Sequence, residues 1–254
     1  MQLTQDDFLG GALRLWQPVD GYRAGVDPVL LAAAVEARAG QSVLDIGCGV
    51  GAAILCLGQR VPGLELAGLE LQAEYASLAQ RNAEENGLRL ELHLGNLEQM
   101  PEPLRARNFD HVIANPPYYL RDSGTGANDT GRGAALTEHT PLSAWMDAAT
   151  RRLKPRGLLT VIQKADRLRH LMAALDSRMG SVRVQPVAPR DGRLSELVIL
   201  QARKGGRADF RLEAPLILHA GARHEKDGDS YRPEIRDILR DGAAFQWKNP
   251  KIHR

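Results

Sequence analysis

The sequence predicts a doubly wound α/β fold whose central sheet is mostly parallel. From residue 27 onward, short apolar runs alternate with helical patterns, as βαβ units require. Ser42-Val43-Leu44-Asp45-Ile46 reads as a buried strand that runs into closely spaced glycines. Phe109–Ala114 reads as a second buried strand, and it ends at Asn115-Pro116-Pro117-Tyr118. In this fold class ligands bind at the carboxyl ends of the strands, so both turns are candidate site segments.

Seven strands account for the predicted sheet, and helices connect them. The strands are predicted at 42–46, 64–70, 89–94, 109–114, 157–163, 181–188 and 195–203. The helices are predicted at 29–35, 52–60, 72–86, 140–152, 165–177 and 232–240, with Asp27 as the N-cap of the first. We expect residues 1–40 to be an N-terminal extension on the ligand site, 41–204 the main domain, and 205–254 a C-terminal extension of that domain. Residues 121–140 are poor in apolar side chains and read as a long loop.

Composition excludes several classes of protein. The chain has 254 residues, 43% hydrophobic and 25% charged, as in an ordinary globular protein. It has no run of eighteen apolar residues and no signal-peptide pattern at its start, so we expect neither a membrane span nor export. Cys48 and Cys56 lack a CxxC spacing and histidine partners, and His93, His111 and His139 lack ligand spacing. We therefore expect no metal site and a reducing, cytoplasmic location.

Charge is distributed unevenly along the chain. Residues 1–150 carry 10 Lys and Arg against 19 Asp and Glu, whereas residues 151–254 carry 23 against 12. A basic half favours a polyanionic partner, although arginines on solvated helix and strand faces would give the same count. We expect Arg203, Lys204 and Arg207 to contribute to such a surface, together with arginines of the 121–140 loop.

The turn after the first strand contains Gly47, Gly49 and Gly51. Such glycines allow a tight turn and bring backbone N–H groups and a helix N-terminus close to a ligand. The spacing fits a nicotinamide dinucleotide as well as S-adenosylmethionine. Asp45, just before the turn, favours S-adenosylmethionine because a carboxylate suits an ammonium group and repels a pyrophosphate, although it could also only cap the turn. Glu70 ends the next strand, where it would accept from ribose hydroxyls or remain an exposed strand-end charge.

Asn115-Pro116-Pro117-Tyr118 is the segment that indicates the chemistry. The prolines restrict the backbone, so the Asn115 side-chain oxygen and the Pro116 carbonyl can converge on one point. Two convergent acceptors suit an NH₂ group on a planar system, and they would align it with an electrophilic methyl group. Tyr118 would lie flat on the ring that carries the amine. The alternative is an ordinary Pro-Pro turn after a strand.

The block from Asp45 to Tyr118 resembles the class I, Rossmann-like S-adenosylmethionine-dependent methyltransferases that methylate amines. The runs Leu9–Pro18 and Gly21–Asp27 resemble the opening of the bacterial tRNA(Val) adenine-N6 methyltransferase family. The resemblance covers most of the chain, and it implies S-adenosylmethionine as cofactor and tRNA as substrate. It also implies that Tyr22 and Arg23 lie near the methionine end of the cofactor, with Arg23 facing its carboxylate unless it is a solvated arginine. Asn96 stands where the fold commonly has an aspartate facing the cofactor adenine, although a helix N-cap is the alternative.

Other functions remain open from the sequence alone. A release-factor glutamine methyltransferase shares the Asn-Pro-Pro-Tyr segment, but that family usually has a helical N-terminal domain, and only about 40 residues precede the first strand here. An rRNA guanine-N2 methyltransferase, a nicotinamide dehydrogenase and a catalytically silent RNA-binding module are further alternatives. The intact acceptor pair argues against the silent module, which would have no use for it.

Overall fold

The computed structural model describes residues 1–120, 137–138, 140–221 and 230–247. Its strands are β1 (Leu3–Phe8), β2 (Leu13–Pro18), β3 (Ser42–Ile46), β4 (Glu65–Glu70), β5 (Leu90–Leu94), β6 (Phe109–Ala114), β7 (Tyr119–Leu120), β8 (Thr137–Glu138), β9 (Leu153–Lys164), β10 (Met179–Ala188), β11 (Leu197–Lys204), β12 (Arg211–Leu212) and β13 (Leu216–Ile217). Its α-helices are α1 (Asp27–Ala34), α2 (Ala52–Arg60), α3 (Ala73–Glu85), α4 (Glu102–Arg105), α5 (Leu142–Arg152), α6 (Leu168–Ala174) and α7 (Pro233–Asp241).

The central sheet has the order β5-β4-β3-β6-β9-β11-β10, and β12 and β13 both pair with the outer side of β10. The strands from β5 to β9 are parallel, while β11 runs antiparallel to both of its neighbours. The predicted doubly wound, mostly parallel sheet is therefore confirmed. Its described part has nine strands rather than seven, because β12 and β13 add two-residue pairings too short to leave a periodic pattern.

Successive apolar side chains of the central strands alternate between the two faces of the sheet and form a hydrophobic core on each face. Val43 and Ile113 pack with α1 and α2 on one face, whereas Leu44 and Val112 pack with α5 on the other. Successive side chains of a strand point to opposite faces, so a strand buried on both faces is apolar throughout. The order of the chain reverses between β3 and β6, and this leaves a crevice at their carboxyl ends.

Several predicted boundaries differ in the structure. Asp27 is the first residue of α1 and not its N-cap, which is Val26. The helix expected at 165–177 is a 3₁₀ turn at 165–167 followed by α6, which ends at Ala174. Residues 1–40 contain the antiparallel pair β1–β2, in which Leu3 pairs with Pro18. The 121–140 loop falls largely outside the described residues, but β8 within it pairs with β7.

Both ends of the described chain pack against α1. Phe8, Leu13 and Ile238 belong to the same core cluster as the buried face of α1. Trp247 donates from Nε1 to the carbonyl of Ala34 at 2.9 Å, and the Phe245 N–H donates to the carbonyl of Ala33 at 2.9 Å. These two bonds satisfy carbonyl groups that the end of a helix leaves without partners.

Asn82 in α3 and Asn86, the C-cap of the same helix, attach the β1–β2 hairpin to it. Asn82 is fully buried; its side chain accepts from the Trp16 N–H at 2.7 Å and donates to the carbonyls of Trp16 and Val50. The neighbouring Asn86 makes the equivalent pair of bonds to the backbone of Arg14, in a more exposed position.

We expect Asn82→Ala to lower the free energy of unfolding by about 2–4 kcal/mol, because it leaves buried backbone groups without partners. Asn86→Ala is the matched control, and it should lower stability by about 1 kcal/mol since water reaches its partners. Urea titration followed by circular dichroism measures both values. Equal losses in the two variants would contradict the proposed role of burial.

Candidate functional site

A cavity of about 360 Å³ opens at the carboxyl ends of β3, β4 and β6. Nine residues proposed from the sequence line it: Tyr22, Asp45, Gly47, Gly49, Glu70, Asn96, Asn115, Pro116 and Tyr118. Gly51 and Arg23 are not among its lining residues. The structure thus brings together side chains that lie up to about a hundred positions apart in the chain.

The turn after β3 has the left-handed backbone that its glycines predict. Gly47 and Gly49 have φ values of 71° and 56°. A Cβ atom on Gly47 would lie 2.6 Å from Cη2 of Trp145, so any side chain there would displace the indole that lines the cavity. A Cβ on Gly49 would meet nothing within 4 Å, which places open space against this backbone. Gly51, with φ 85°, precedes α2 as its N-cap and packs towards Leu55, away from the cavity.

Two buried carboxyl groups lie side by side at this turn. Glu70 is 6% exposed, and its oxygens accept from the N–H groups of Gly49 at 2.8 Å and Gln72 at 2.9 Å. Asp45 is 2% exposed. Burial, followed by the negative charge of Glu70, raises the pKa of Asp45 well above its usual value, and a hydrogen bond with the Ile54 backbone opposes the shift. A cation in the cavity would relieve the repulsion between the two carboxyl groups.

The Asn115 amide presents an unused acceptor to the cavity. Its Nδ2 donates to the Tyr22 hydroxyl at 3.2 Å, while its Oδ1 is buried and has no hydrogen-bond partner among the described residues. The neighbouring Pro116 carbonyl accepts from Gln163 Nε2 at 3.1 Å, which leaves one of its two lone pairs for another donor. An incoming group with two N–H bonds would satisfy both oxygens.

Two residues have contacts that differ from their expected roles. Arg23 forms an ion pair with Asp6 at 2.7 Å and donates to Thr4 Oγ1 at 2.7 Å, outside the cavity lining. Asn96 lines the cavity, but its Oδ1 accepts from the Glu98 N–H at 2.8 Å within a turn. No helix begins there, since α4 starts at Glu102.

Sequence reasoning missed several polar residues of the site. Gln163 is fully buried near the end of an apolar strand. A single amide side chain in such a strand is the sequence feature that could have marked it as a site residue. Nothing in the sequence around Tyr75 points to the site, yet its hydroxyl accepts from the Tyr22 N–H at 3.2 Å. Trp145 lines the cavity with a buried Nε1 that has no partner in the described part of the chain. Asp27 accepts a hydrogen bond from the Tyr118 hydroxyl.

Two of the three histidines named in the sequence analysis, and both cysteines, lie in the described part of the chain. His111 bonds to Gln41 at 3.1 Å, and burial lowers its pKa to about 4; His93 pairs with Glu91, while His139 lies outside the described residues. Cys48 and Cys56 are buried free thiols. The described residues contain no group of three His, Cys, Asp or Glu side chains that could hold a metal ion. Among the helices in the described part of the chain, none is both long and apolar enough to cross a membrane.

Comparisons with known proteins agree with this geometry. The family model of the methyltransferase small domain matches residues 24–185. A tRNA1(Val) (adenine(37)-N6)-methyltransferase from Porphyromonas gingivalis is 34% identical over 179 residues, which cover 65% of this chain and 69% of the relative. A release factor glutamine methyltransferase from Geobacter sulfurreducens is 42% identical over 77 residues, covering 30% of this chain and 26% of the relative. A crystal structure from Agrobacterium tumefaciens, described as a predicted O-methyltransferase, has a TM-score of 0.68 and 26% identity, and covers 86% of this chain and 98% of its own.

We expect Asp45→Asn to raise the melting temperature of the ligand-free protein at neutral pH. The folded state holds a proton on Asp45 above the pH at which the unfolded chain has lost it. Wild-type stability therefore falls as pH rises from the ordinary carboxyl range towards the raised pKa of Asp45. The variant removes that part of the fall, and each kcal/mol it gains corresponds to about 2–4 °C in a chain of this size.

Differential scanning calorimetry between pH 4.5 and 8 measures the effect. Asp20→Asn removes a carboxyl group at an exposed position; it is the matched control and should leave the melting temperature close to that of the wild type. If Asp45→Asn lowers the melting temperature across this whole range, the carboxyl group is not a source of instability.

Proposed function

Because the chain belongs to the methyltransferase small domain family, we propose that it methylates the exocyclic N6 amine of an adenine in tRNA. The observation that carries the chemistry is the unpartnered Asn115 Oδ1 beside the Pro116 carbonyl. The tRNA adenine is the substrate printed in the name of the relative from Porphyromonas gingivalis. As a tRNA-modifying enzyme, the protein would act in the cytoplasm.

S-adenosylmethionine, the cofactor of this enzyme, supplies an electrophilic sulfonium methyl group when it is bound. The cavity fits it: the glycine turn leaves open space against bare backbone, and the buried carboxyl of Asp45 suits a cationic ligand. We assign Asp45 to the methionine ammonium and Glu70 to the ribose hydroxyls. Each Glu70 oxygen keeps one lone pair after accepting its backbone N–H.

The other predicted cofactor contacts differ in whether they line the cavity. Tyr22 and Asn96 line the cavity and remain candidates for its two ends. Gly47, Gly49 and Gly51 shape the turn. Arg23 is the weakest candidate, because its guanidinium already pairs with Asp6 outside the lining.

The substrate amine would donate one N–H to Asn115 Oδ1 and the other to the Pro116 carbonyl. This arrangement turns the nitrogen lone pair away from the conjugated ring and towards the incoming methyl group. Gln163 holds the Pro116 carbonyl in place, and Tyr118 offers an aromatic face to the ring. The methylated nitrogen is acidic, so its proton leaves to solvent without a dedicated base. A hydroxyl substrate could use only one of the two acceptors, which favours an amine.

Residues from both ends of the described chain belong to the same hydrophobic core as α1 and α2. We propose one catalytic domain at 41–204, with 1–40 and 205–254 as extensions of the same unit. Phe8, Leu13, Ile238 and Trp247 pack into the core cluster of α1 and α2, which supports this assignment.

The RNA should approach the edge of the sheet that carries the cavity. Arg193 is exposed in the turn between β10 and β11, four residues before Leu197, which pairs with Lys164 at this edge. Arg203 lies six residues beyond Leu197 along β11, about 20 Å away, and bonds to the Arg156 carbonyl at the opposite edge. Arg203, Lys204 and Arg207 are thus poor candidates for phosphate contacts near the cavity, contrary to the expectation from charge counts, and we assign that role to Arg193.

We expect Asn115→Ala to reduce kcat for tRNA methylation about 10²- to 10³-fold, as for the loss of one preorganised polar group at a reacting centre. Cofactor affinity should stay close to wild type, because the amide acts on the substrate amine. Asn108→Ala, at an exposed asparagine, is the matched control. Mass spectrometry of nucleosides from tRNA incubated with enzyme and cofactor provides the assay. Formation of N5-methylglutamine in a release factor, without N6-methyladenine, would replace the proposed function by the glutamine alternative.

We expect Arg193→Glu to weaken tRNA binding and to reduce the slope of log affinity against log salt by about 0.7–0.9, the contribution of one phosphate contact. Arg203→Glu makes the same charge reversal at the far edge and should change the slope much less. Filter binding at several salt concentrations, with calorimetry of the cofactor as a check on folding, measures both. A larger change in Arg203→Glu would place the RNA on the other edge.

A further inference from the structure

The end of β6 leaves the Pro116 carbonyl beyond the ladder of the sheet. β6 pairs in parallel with β9, and Ala114 lies beside Val161 in the last pair of their register. The same register, continued by two residues, brings Pro116 beside Gln163. Pro116 and Pro117 have no N–H groups, so the ladder cannot continue through them. The position of the Pro116 carbonyl must therefore be fixed in another way.

The side chain of Gln163 supplies a donor at the place where the ladder ends. Its Nε2 donates to the Pro116 carbonyl at 3.1 Å and to the Pro117 carbonyl at 3.5 Å. Gln163 has no exposed surface, so water does not compete for these bonds. A side-chain amide on β9 thus bonds across to the segment after β6, as a backbone N–H does within the ladder.

The backbone of the next residue fixes the orientation of this amide. The Lys164 N–H donates to Gln163 Oε1 at 2.8 Å. A backbone N–H can only donate, so the amide oxygen must face it and the amide NH₂ group must face the prolines. The reverse orientation would set two donors against each other and would place the amide oxygen against the Pro116 carbonyl. Gln163 therefore presents its NH₂ group, and not its oxygen, to Pro116.

A pair of acceptors aligns an amine only if both acceptors are held in place. The two N–H bonds of a planar NH₂ group diverge at a fixed angle, and hydrogen bonds weaken steeply as they bend. The Asn115 amide is held by its bond to the Tyr22 hydroxyl at 3.2 Å. The Pro116 carbonyl is held by Gln163, from a different strand. If that carbonyl moved, the substrate amine would keep one bond and would rotate about it, which would turn its lone pair away from the methyl group.

We propose that Gln163 is a positioning residue for methyl transfer: its amide takes the place of the ladder that the two prolines end, and it fixes the Pro116 carbonyl as the second acceptor of the substrate amine. This inference rests on the proposed amine methylation. Gln163 acts through the carbonyl and not on the substrate itself, because it is fully buried and is not among the residues that line the cavity.

Gln163→Met removes the donor and keeps the length of the side chain. We expect kcat for methyl transfer to fall about 10- to 100-fold, the scale of one lost hydrogen bond at a reacting centre. KM for the substrate and Kd for S-adenosylhomocysteine should stay within about twofold of wild type, because the lost bond acts on the aligned amine.

Gln185→Met is the matched control. Gln185 is also a buried amide on a strand of the same sheet, and its Nε2 donates to the carbonyls of Ala214 at 2.6 Å and Pro186 at 2.9 Å. None of these residues lines the cavity. The control therefore loses the same kind of buried hydrogen bond and should retain wild-type kcat.

Gln163→Glu makes the donor depend on pH. A protonated carboxyl group can donate to the Pro116 carbonyl and accept from the Lys164 N–H, whereas an ionised one only accepts and leaves Pro116 without its donor. Burial raises the pKa of a carboxyl group, to about 8–9 in documented buried glutamates. The ratio of variant to wild-type kcat should therefore lie within about threefold of one near pH 6 and fall at least about tenfold by pH 9.5. Taking the ratio at each pH removes the effect of groups that titrate in both proteins, such as Asp45.

Melting temperature and calorimetric binding of S-adenosylhomocysteine show whether each variant is folded. Equal kcat in Gln163→Met and Gln185→Met would overturn the inference, and so would a kcat ratio for Gln163→Glu that does not change with pH. If Gln163→Met does not fold, the pH dependence of Gln163→Glu decides, because a merely structural amide would not tie activity to the protonation of its replacement.

Wild-type activity separates this inference from the proposed function. If the wild-type enzyme forms no N6-methyladenine in tRNA, the proposed substrate is wrong, and the same three variants are then assayed on a release-factor peptide with a glutamine. The amide nitrogen of glutamine also carries two N–H bonds and needs the same two acceptors, so the comparison still supports or overturns the role of Gln163.

Discussion

The register of β3 with its two neighbours determines where the glycine turn, Glu70 and the Asn115 amide lie. Ile46, the last residue of β3, pairs with Leu69 on one side and with Ala114 on the other. Gly47, Glu70 and Asn115 each follow those residues directly and therefore meet at one level of the sheet. A slip of one residue in either pairing would turn the alternate side chains to the other face and separate the carboxyl groups from the acceptor amide.

The site contains buried charged and polar groups that would normally have a counter-charge or a hydrogen-bond partner in a folded protein. Asp45 and Glu70 are buried next to each other, the Asn115 oxygen has no partner among the described residues, and neither does the Trp145 Nε1. Each of these lowers stability, and the apolar layers on both faces of the sheet compensate. A ligand that is cationic at one end and donates hydrogen bonds satisfies these groups, so binding also stabilises the fold.

The parts of the structure that local sequence determines could be predicted. The strand at 42–46, the glycine turn after it and the strand at 109–114 that precedes Asn115 depend on neighbours in the chain, and the structure has them. Partners distant in sequence could not be predicted. Arg23 pairs with Asp6 across the N-terminal hairpin, and Gln163 reaches a carbonyl 47 positions earlier.

The positions of the basic residues on the fold also could not be predicted from the sequence. Counting residues identified the basic half of the chain, but the two ends of β11 lie at opposite edges of the sheet. Only the antiparallel direction of that strand shows that Arg193 lies beside the cavity edge and Arg203 does not.

The attachment of Trp247 to α1 has a consequence for synthesis on the ribosome. The indole donates to Ala34, a partner 213 positions earlier, so the helix that carries Asp27 has its final contacts only after almost the whole described chain has been translated. Contacts of such long separation form late because a large loop must close first. In the nascent protein the carbonyl groups of Ala33 and Ala34 at the end of α1 therefore lack these two partners until the segment that contains Phe245 and Trp247 has left the exit tunnel.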